Sequence, residues 1–292
     1  MTKRIPLPAL VLVLALALST LSCGEPTHRT ATGGVSGMAQ ATRVSCIDVG
    51  KGDCILVQTG PANVLIDTGY RSTVGAVLSH LAEQGVGHLD ALVLTHYDRD
   101  HVGGLKAIAE SLDVDMVYLP SYEGADKNYE TTMGTVDDLG IAARTVSEEL
   151  VLGLGEARLV IYPSGVDYVS DANGDEGNDN DASLVLALTC GDDSYLFAGD
   201  LEEDGIEAYL RGGRGHFDVL KMPHHGEKSS QTDELIEAVQ PKIVLVTDVA
   251  DDLADKKTLK MLEKSGADIY RTSMEGTIVT ESDGTGSYEV SS

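Results

Sequence analysis

Two histidines and two aspartates, His96, Asp98, Asp100 and His101, fall within six residues, between the apolar run Leu92-Val-Leu and the pair Gly103-Gly104. Alternate side chains of an extended segment share a face, so His96, Asp98 and Asp100 are expected to point to one side. His101 should follow as the backbone turns into a helix. Gly103 and Gly104 allow close backbone packing beneath them. Carboxylates so near one another are costly alone and favoured beside a cation, so the stretch reads as a set of metal ligands. The chain must therefore fold so that a buried strand ends at a polar cleft.

Two more segments place ligand types just past an apolar strand. One is Tyr195-Leu-Phe-Ala-Gly-Asp200, the other Val219-Leu-Lys-Met-Pro-His224-His225-Gly226. A lone Asp at such a position is commonly a helix cap, but strands ending at one sheet edge would gather all three clusters into one cleft. The wider pattern fits a sheet protein with helices packed on it. Short β-rich runs begin at Arg43, around the turns Gly50-Lys-Gly-Asp53 and Gly60-Pro61. Helices are expected at 72–84, 101–111, 202–211, 232–239 and 256–264. Strands are expected at 89–95, 114–119, 141–146, 149–154, 157–162, 182–190, 194–198, 217–221, 242–246, 268–271 and 277–280. Each half is then a run of strands with helices, which suggests two sheets stacked face to face with helices outside.

The acidic loop from Asp171 to Asp181 matches the first three EF-hand positions, then fails with Glu176 at position six and Ala182 at position twelve. Its first half reads as a solvated loop. Cys46 and Cys54 flank a glycine turn, which leaves open either a disulfide or two buried thiols. No zinc-ribbon spacing is present.

Lys3 and Arg4 precede the apolar run Ala9 to Leu18, then Ser19-Thr-Leu-Ser22 and Cys23. This is a secretory signal pattern, too short to span a bilayer as a mature helix. It resembles the bacterial lipobox, with Thr20 where that pattern usually has Leu. The resemblance implies a signal peptide of the lipoprotein type over 1–22 and lipidation of Cys23. A flexible tether over 23–42 would then hold a globular domain, 43–292, at the outer face of the cell membrane. Removing residues 1–22 takes away two basic and no acidic residues, so 21 basic against 47 acidic becomes 19 against 47 and the formal charge goes from -26 to -28. Such a charge excludes a histone-like or polybasic nucleic-acid binder, and with no Trp and two Phe aromatic stacking platforms are scarce.

The chain resembles the metallo-β-lactamase fold superfamily, and within it the hydrolase domain of ComEC-type competence proteins and their stand-alone secreted relatives. Asp48-Val-Gly-Lys-Gly-Asp53 is similar to that branch's DVGQGD, with Lys51 replacing Gln. Leu65-Ile-Asp67-Thr-Gly69, Asn180-Asp-Ala-Ser183, Tyr270-Arg-Thr and Gly276-Thr-Ile follow its later motifs. The resemblance implies an α/β fold, the αββα four-layer sandwich. It also implies two divalent metal ions, zinc or manganese, held by His96, Asp98, Asp100, His101, Asp200 and one of the pair His224 and His225. Our reading takes His224 as ligand and His225 as the group facing the leaving oxygen, with Asp100 also catalytic. Asp53 and Asp67 are expected to support the ligands from behind. The third histidine motif of the superfamily is absent, and Asn180 and Ser183 stand there as residues that contact substrate or hold the ligands. Lys51 and Lys221 are the phosphate-binding candidates.

Such a centre suits phosphodiester hydrolysis by a metal-activated hydroxide. The partner expected is a phosphodiester substrate, with DNA as one candidate, without an extensive basic groove to track it. Alternatives are a phosphodiesterase for small or lipid head-group substrates, a carbon-ester or lactam hydrolase, and a non-catalytic surface-binding lipoprotein.

Overall fold

The alternation of apolar residues along the strands dictates three separate cores. The computed structural model describes residues 41–170 and 177–292. The expected signal segment, Cys23, nearly all of the tether and the start of the acidic loop lie outside the described residues. One sheet has eight strands, in the spatial order Glu289–Ser291, Ile278–Ser282, Thr42–Cys46, Ile55–Thr59, Ala62–Ile66, Ala91–Val93, Val117–Pro120 and Ala143–Val146. The other has seven, in the order Asp268–Arg271, Ile243–Val246, Val219–Lys221, Asp193–Phe197, Val185–Cys190, Ala157–Tyr162 and Leu150–Leu154.

Ile55, Val57, Val64 and Ile66 from the first sheet pack with Leu159, Ile161, Leu186 and Phe197 from the second. The alternate residues Leu56, Leu65 and Leu92 face the other way, onto Val77, Leu81, Leu105 and Ile108 of the helices Val74–Glu83 and Leu105–Ser111. Likewise Leu196, Leu220 and Val244 meet Ile206, Leu235 and Leu262 of the helices Glu203–Arg211, Thr232–Val239 and Lys256–Ser265. The result is helix, sheet, sheet, helix: the four-layer αββα sandwich. Burying each such side chain contributes about 1.5–3 kcal/mol, so a one-residue register slip that turned a strand inside out would be strongly disfavoured.

Three features depart from the sequence expectations. The helix expected from His101 begins earlier, as a short helix Arg99–Val102 followed by Leu105–Ser111. Asp100 is therefore already helical and does not continue the extended alternation of His96 and Asp98. A helix not anticipated, Lys127–Leu139, starts on an Asp126 cap, whose carboxylate accepts from the Tyr129 backbone N–H, and stops at left-handed Gly140. Last, the division by halves is incomplete, because the C-terminal strands Ile278–Ser282 and Glu289–Ser291 cross back to extend the first sheet. Cys46 faces the core between the sheets while Cys54 faces the helices, so the two thiols point away from each other and stay free and buried. No helix among the described residues is long and apolar enough to cross a membrane.

In the first sheet Ala62–Ile66, Ala91–Val93 and Val117–Pro120 run parallel, as do Asp193–Phe197, Val219–Lys221 and Ile243–Val246 in the second. The segments leaving the C-terminal ends of these strands carry the polar residues described next.

Candidate metal centre

Asp67 follows the strand Ala62–Ile66 with φ of 57°, a left-handed conformation that costs energy for a residue with a Cβ. Its surroundings hold it there. Its carboxylate accepts from the Thr95 N–H at 2.8 Å, from the Thr95 hydroxyl at 2.8 Å and from His101 Nδ1 at 2.8 Å. Since the single hydroxyl proton of Thr95 goes to Asp67, its oxygen can only accept from His96 Nδ1, 3.0 Å away. The same device recurs on the other sheet. The Thr247 hydroxyl donates to Asp53 Oδ1 at 2.8 Å, and His225 Nδ1 lies 2.9 Å from the Thr247 oxygen. All three imidazoles thus carry their hydrogen on Nδ1 and turn Nε2 into a common space, as an oriented metal-binding histidine requires.

The Nε2 atoms of His96, His101 and His225, with Asp98 Oδ1 and Asp200 Oδ1, are buried and make no hydrogen bond among the described residues. His101 Nε2 lies 3.2 Å and His225 Nε2 3.0 Å from Asp200 Oδ2, close but without hydrogen-bond alignment. Ligand atoms of His96, His101 and Asp200 lie within 4.8 Å of one another, as do those of Asp100, His101 and His225. Asp98 Oδ2 stands 3.7 Å from His96 Nε2 and Asp100 Oδ2 3.5 Å from His225 Nε2. Buried polar atoms left unpaired are costly, and here they converge from three segments. The donor set, imidazole nitrogens with carboxylate oxygens, suits divalent cations such as zinc or manganese. Asp53, Asp67, Asp98, Asp100 and Asp200 set five carboxylates against the one ammonium of Lys221, an excess that two divalent cations would cancel.

The sequence profile described as the metallo-beta-lactamase superfamily matches residues 47–246. The chain belongs to that superfamily. Over 260 residues, 80% of its length, it is 30% identical to ComE operon protein 3 of Bacillus subtilis (strain 168). It is also 30% identical over 210 residues, 70% of its length, to competence protein ComA of Neisseria gonorrhoeae. It spans only 32% and 26% of those two relatives. Among solved structures it is similar to the metallo-beta-lactamase fold protein YhfI from Bacillus subtilis, with a TM-score of 0.54 and 12% identity, covering 82% of this chain and 100% of that one.

Within this metallo-beta-lactamase frame the histidine pair is reversed from the sequence expectation. Both residues adopt left-handed backbone conformations, His224 with φ of 44° and His225 with φ of 53°, so adjacent side chains diverge. His225 is 2% exposed and enters the cluster, whereas His224 turns to the rim, where Nδ1 lies 3.0 Å from Glu202 Oε1. His224 is therefore not among the converging ligands, and buried His225 does not face a leaving group.

The phosphate candidates are corrected too. Lys221 is 1% exposed and lies between the carboxylates of Asp53 and Asp200, so it neutralises charge inside the protein and cannot reach substrate. Lys51 reaches across to Glu227 and Asp252 and ties the glycine turn to the opposite rim. Ser183 is fully buried, and its hydroxyl accepts from the Asp200 backbone N–H at 3.2 Å, so it positions the Asp200 loop and is not a substrate contact. Asn180 Nδ2 donates to Glu202 Oε1 at 3.1 Å, placing it beside His224 at the rim. A Cβ on Gly52 would lie 2.7 Å from the Asp100 carbonyl, so the glycine turn packs directly on the ligand segment. Sequence reasoning missed Thr95, Thr247 and Asp179. The two threonines orient histidines, and Asp179 lies against Asp98. Thr247 carries a usable signal, because it directly follows the strand Ile243–Val246 at the same edge as the other ligands.

Burial works against the charge on His225, yet Asp200 and Asp100 raise its pKa to about 10, and for His101 Asp200 and Asp67 likewise overcome burial and hold it well above the usual value. Burial also opposes ionisation of Asp98, but His96 keeps its carboxyl at about 2. These directions make the metal-free protein pH-sensitive. A histidine with a raised folded pKa contributes stability fully below about pH 6.5, its unfolded value, and loses it as pH rises through the folded value, about 10 for His225. Urea unfolding of metal-stripped protein should show stability falling across that window, and saturating zinc should flatten the fall, because ligation requires the neutral imidazole. A flat profile for the stripped protein would contradict this reading.

Proposed function

We propose that the chain is a metal-dependent phosphodiesterase, with a nuclease as its form, anchored through lipidated Cys23 outside the cytoplasm. The observation that carries the reading is the set of three imidazoles whose Nδ1 atoms are engaged from behind while Nε2 atoms and carboxylate oxygens converge unpaired. His96, Asp98 and Asp200 would hold one cation, and Asp100, His101, His225 and the same Asp200 the other. Bound divalent cations supply Lewis-acid polarisation of a phosphoryl oxygen and lower the pKa of water into the neutral range.

The residues themselves set orientation and proton traffic. Asp67 and Asp53, the latter through Thr247, fix the rings of His101 and His225, and Thr95 fixes His96. Asp100, whose side chain is 18% exposed, offers its carboxylate at the mouth and can take a proton from attacking water. His224, backed by Glu202 and with its side chain 26% exposed, would give a proton to a departing oxygen, the role the sequence had suggested for His225. The kinship with competence proteins supports a nucleic acid substrate, and the segment from Lys3 to Cys23 supports export and anchoring.

The test is turnover of a DNA strand, an RNA strand, bis(p-nitrophenyl) phosphate and a β-lactam by the full chain loaded with manganese or zinc. Cleavage of the phosphodiesters without lactam turnover is expected, with loss on chelation. Lactam turnover alone, or no turnover with cations bound, would overturn the reading.

A further inference from the structure

Beside the metal centre runs a groove of about 630 Å³ between the segment Tyr70-Arg71-Ser72, the helix Leu105–Ser111 and the helix Lys127–Leu139. It shares its walls with the centre. Thr68 bonds the His101 carbonyl through both its N–H and its hydroxyl, and the Gly104 N–H donates to the Gly69 carbonyl, so the segment carrying Asp67 lies under the one carrying Asp98 to His101. Arg99, between Asp98 and Asp100, opens into the groove with its guanidinium 5.9 Å over the Tyr70 ring. The Tyr70 ring lines the same groove as Arg99.

The charge of this groove is opposite to that of the chain as a whole. With 47 acidic and 21 basic residues in the sequence, its lining holds Arg71, Arg99 and Lys106 and no carboxylate. Arg71 and Arg99 are exposed and form no ion pair among the described residues, while Lys106 sits 3.9 Å from Glu110. Farther along, Glu110 and Asp138 join the lining and end the cationic stretch. Val102 and Leu105 give it an apolar floor and Tyr70 an aromatic face. Cations for phosphates beside apolar and aromatic surface for bases is the chemistry that holds a single strand without reading its sequence.

We propose that this groove binds the single polynucleotide strand flanking the scissile phosphate, with Arg99, Arg71 and Lys106 taking two or three backbone phosphates. This inference rests on the phosphodiesterase reading and names its substrate class. A phospholipid would satisfy the apolar floor but carries one phosphate, and that phosphate would be at the metal centre, which leaves the row of cations without a partner. The short cationic stretch also explains how a chain of such negative charge can hold nucleic acid: contact is local.

The experiment compares the metal-loaded protein with the charge-reversed variant Arg71→Glu, Lys106→Glu, both positions being exposed. Substrates are bis(p-nitrophenyl) phosphate, a single-stranded oligonucleotide of roughly 12 nucleotides and a dispersed short-chain phosphatidylglycerol. The variant should lose kcat/KM for the oligonucleotide about 10-fold more than for the small diester, and the log–log salt slope should shrink by about 1.4, from about 0.7 per single-strand phosphate contact. Equal losses on both diesters, no loss, or a loss confined to the phospholipid would overturn the groove assignment and leave the hydrolase standing. If the parent protein cleaves no phosphodiester, the hydrolase reading fails, and fluorescence anisotropy of a labelled oligonucleotide judges the groove separately. Binding weakened by the charge reversal supports it; absent or unchanged binding overturns it.

Discussion

Asp200→Asn is expected to lower phosphodiester turnover by on the order of 10³-fold and metal affinity by at least about 100-fold, while the chain still folds. Asp200 is the carboxylate between the two ligand groups, with Oδ2 3.2 Å from His101 Nε2 and 3.0 Å from His225 Nε2. Burial opposes its ionisation, but His101, His225 and Lys221 hold it well below the usual carboxylate range, so it is charged at every pH where the enzyme would work. Asparagine keeps the shape and removes the charge, and its amide hydrogens would face any cation. Metal content by mass spectrometry, circular dichroism and turnover on one preparation check this. A folded variant with full metal and full activity would show that Asp200 is not a ligand.

Lys221→Met is expected to destabilise the protein by about 3–5 kcal/mol, the cost of leaving a buried charge without its partner. The ammonium lies against Asp53, 3.6 Å from Asp200 Oδ1 and 3.4 Å from the Gly199 carbonyl, which it reaches as a donor. Asp53 is 1% exposed and would keep its charge with only the Thr247 hydroxyl and the more distant His225 ring. Adding Asp53→Asn to Lys221→Met removes that orphaned charge, so most of the stability should return. Activity should return only in part, because the amide oxygen of Asp53→Asn can still accept from the Thr247 hydroxyl but no longer supplies the negative charge beside His225. Thermal melts of the two variants decide it: a single variant as stable as the parent, or a double variant no better than the single, would contradict a buried ion pair.

The strand ends carrying His96, Asp200 and His225 were legible because each is a short, nearly continuous apolar run, buried on both faces, followed by a ligand type, and this pattern survives any uncertainty in helix boundaries. The helix Lys127–Leu139 was not legible, since its inward face is largely Thr132, Thr135 and Val136, too polar to register as an apolar stripe. The exchange of roles between His224 and His225 was hidden for a different reason. Alternation predicts that neighbours oppose each other, but only the left-handed backbone after Pro223 decides which one turns inward. Lys221 misled because a lysine next to a ligand cluster reads as a phosphate contact. The strand Val219–Lys221 is central and buried, so its side chain had nowhere to go but toward a carboxylate.

Anomalous diffraction from crystals grown with manganese tests the metal cage most directly. Two peaks are expected, one bounded by His96, Asp98 and Asp200 and the other by Asp100, His101, Asp200 and His225, with the second lost in His225→Ala and kept in His224→Ala. Peaks ligated by His224, or no density within reach of these side chains at saturating manganese, would contradict the account.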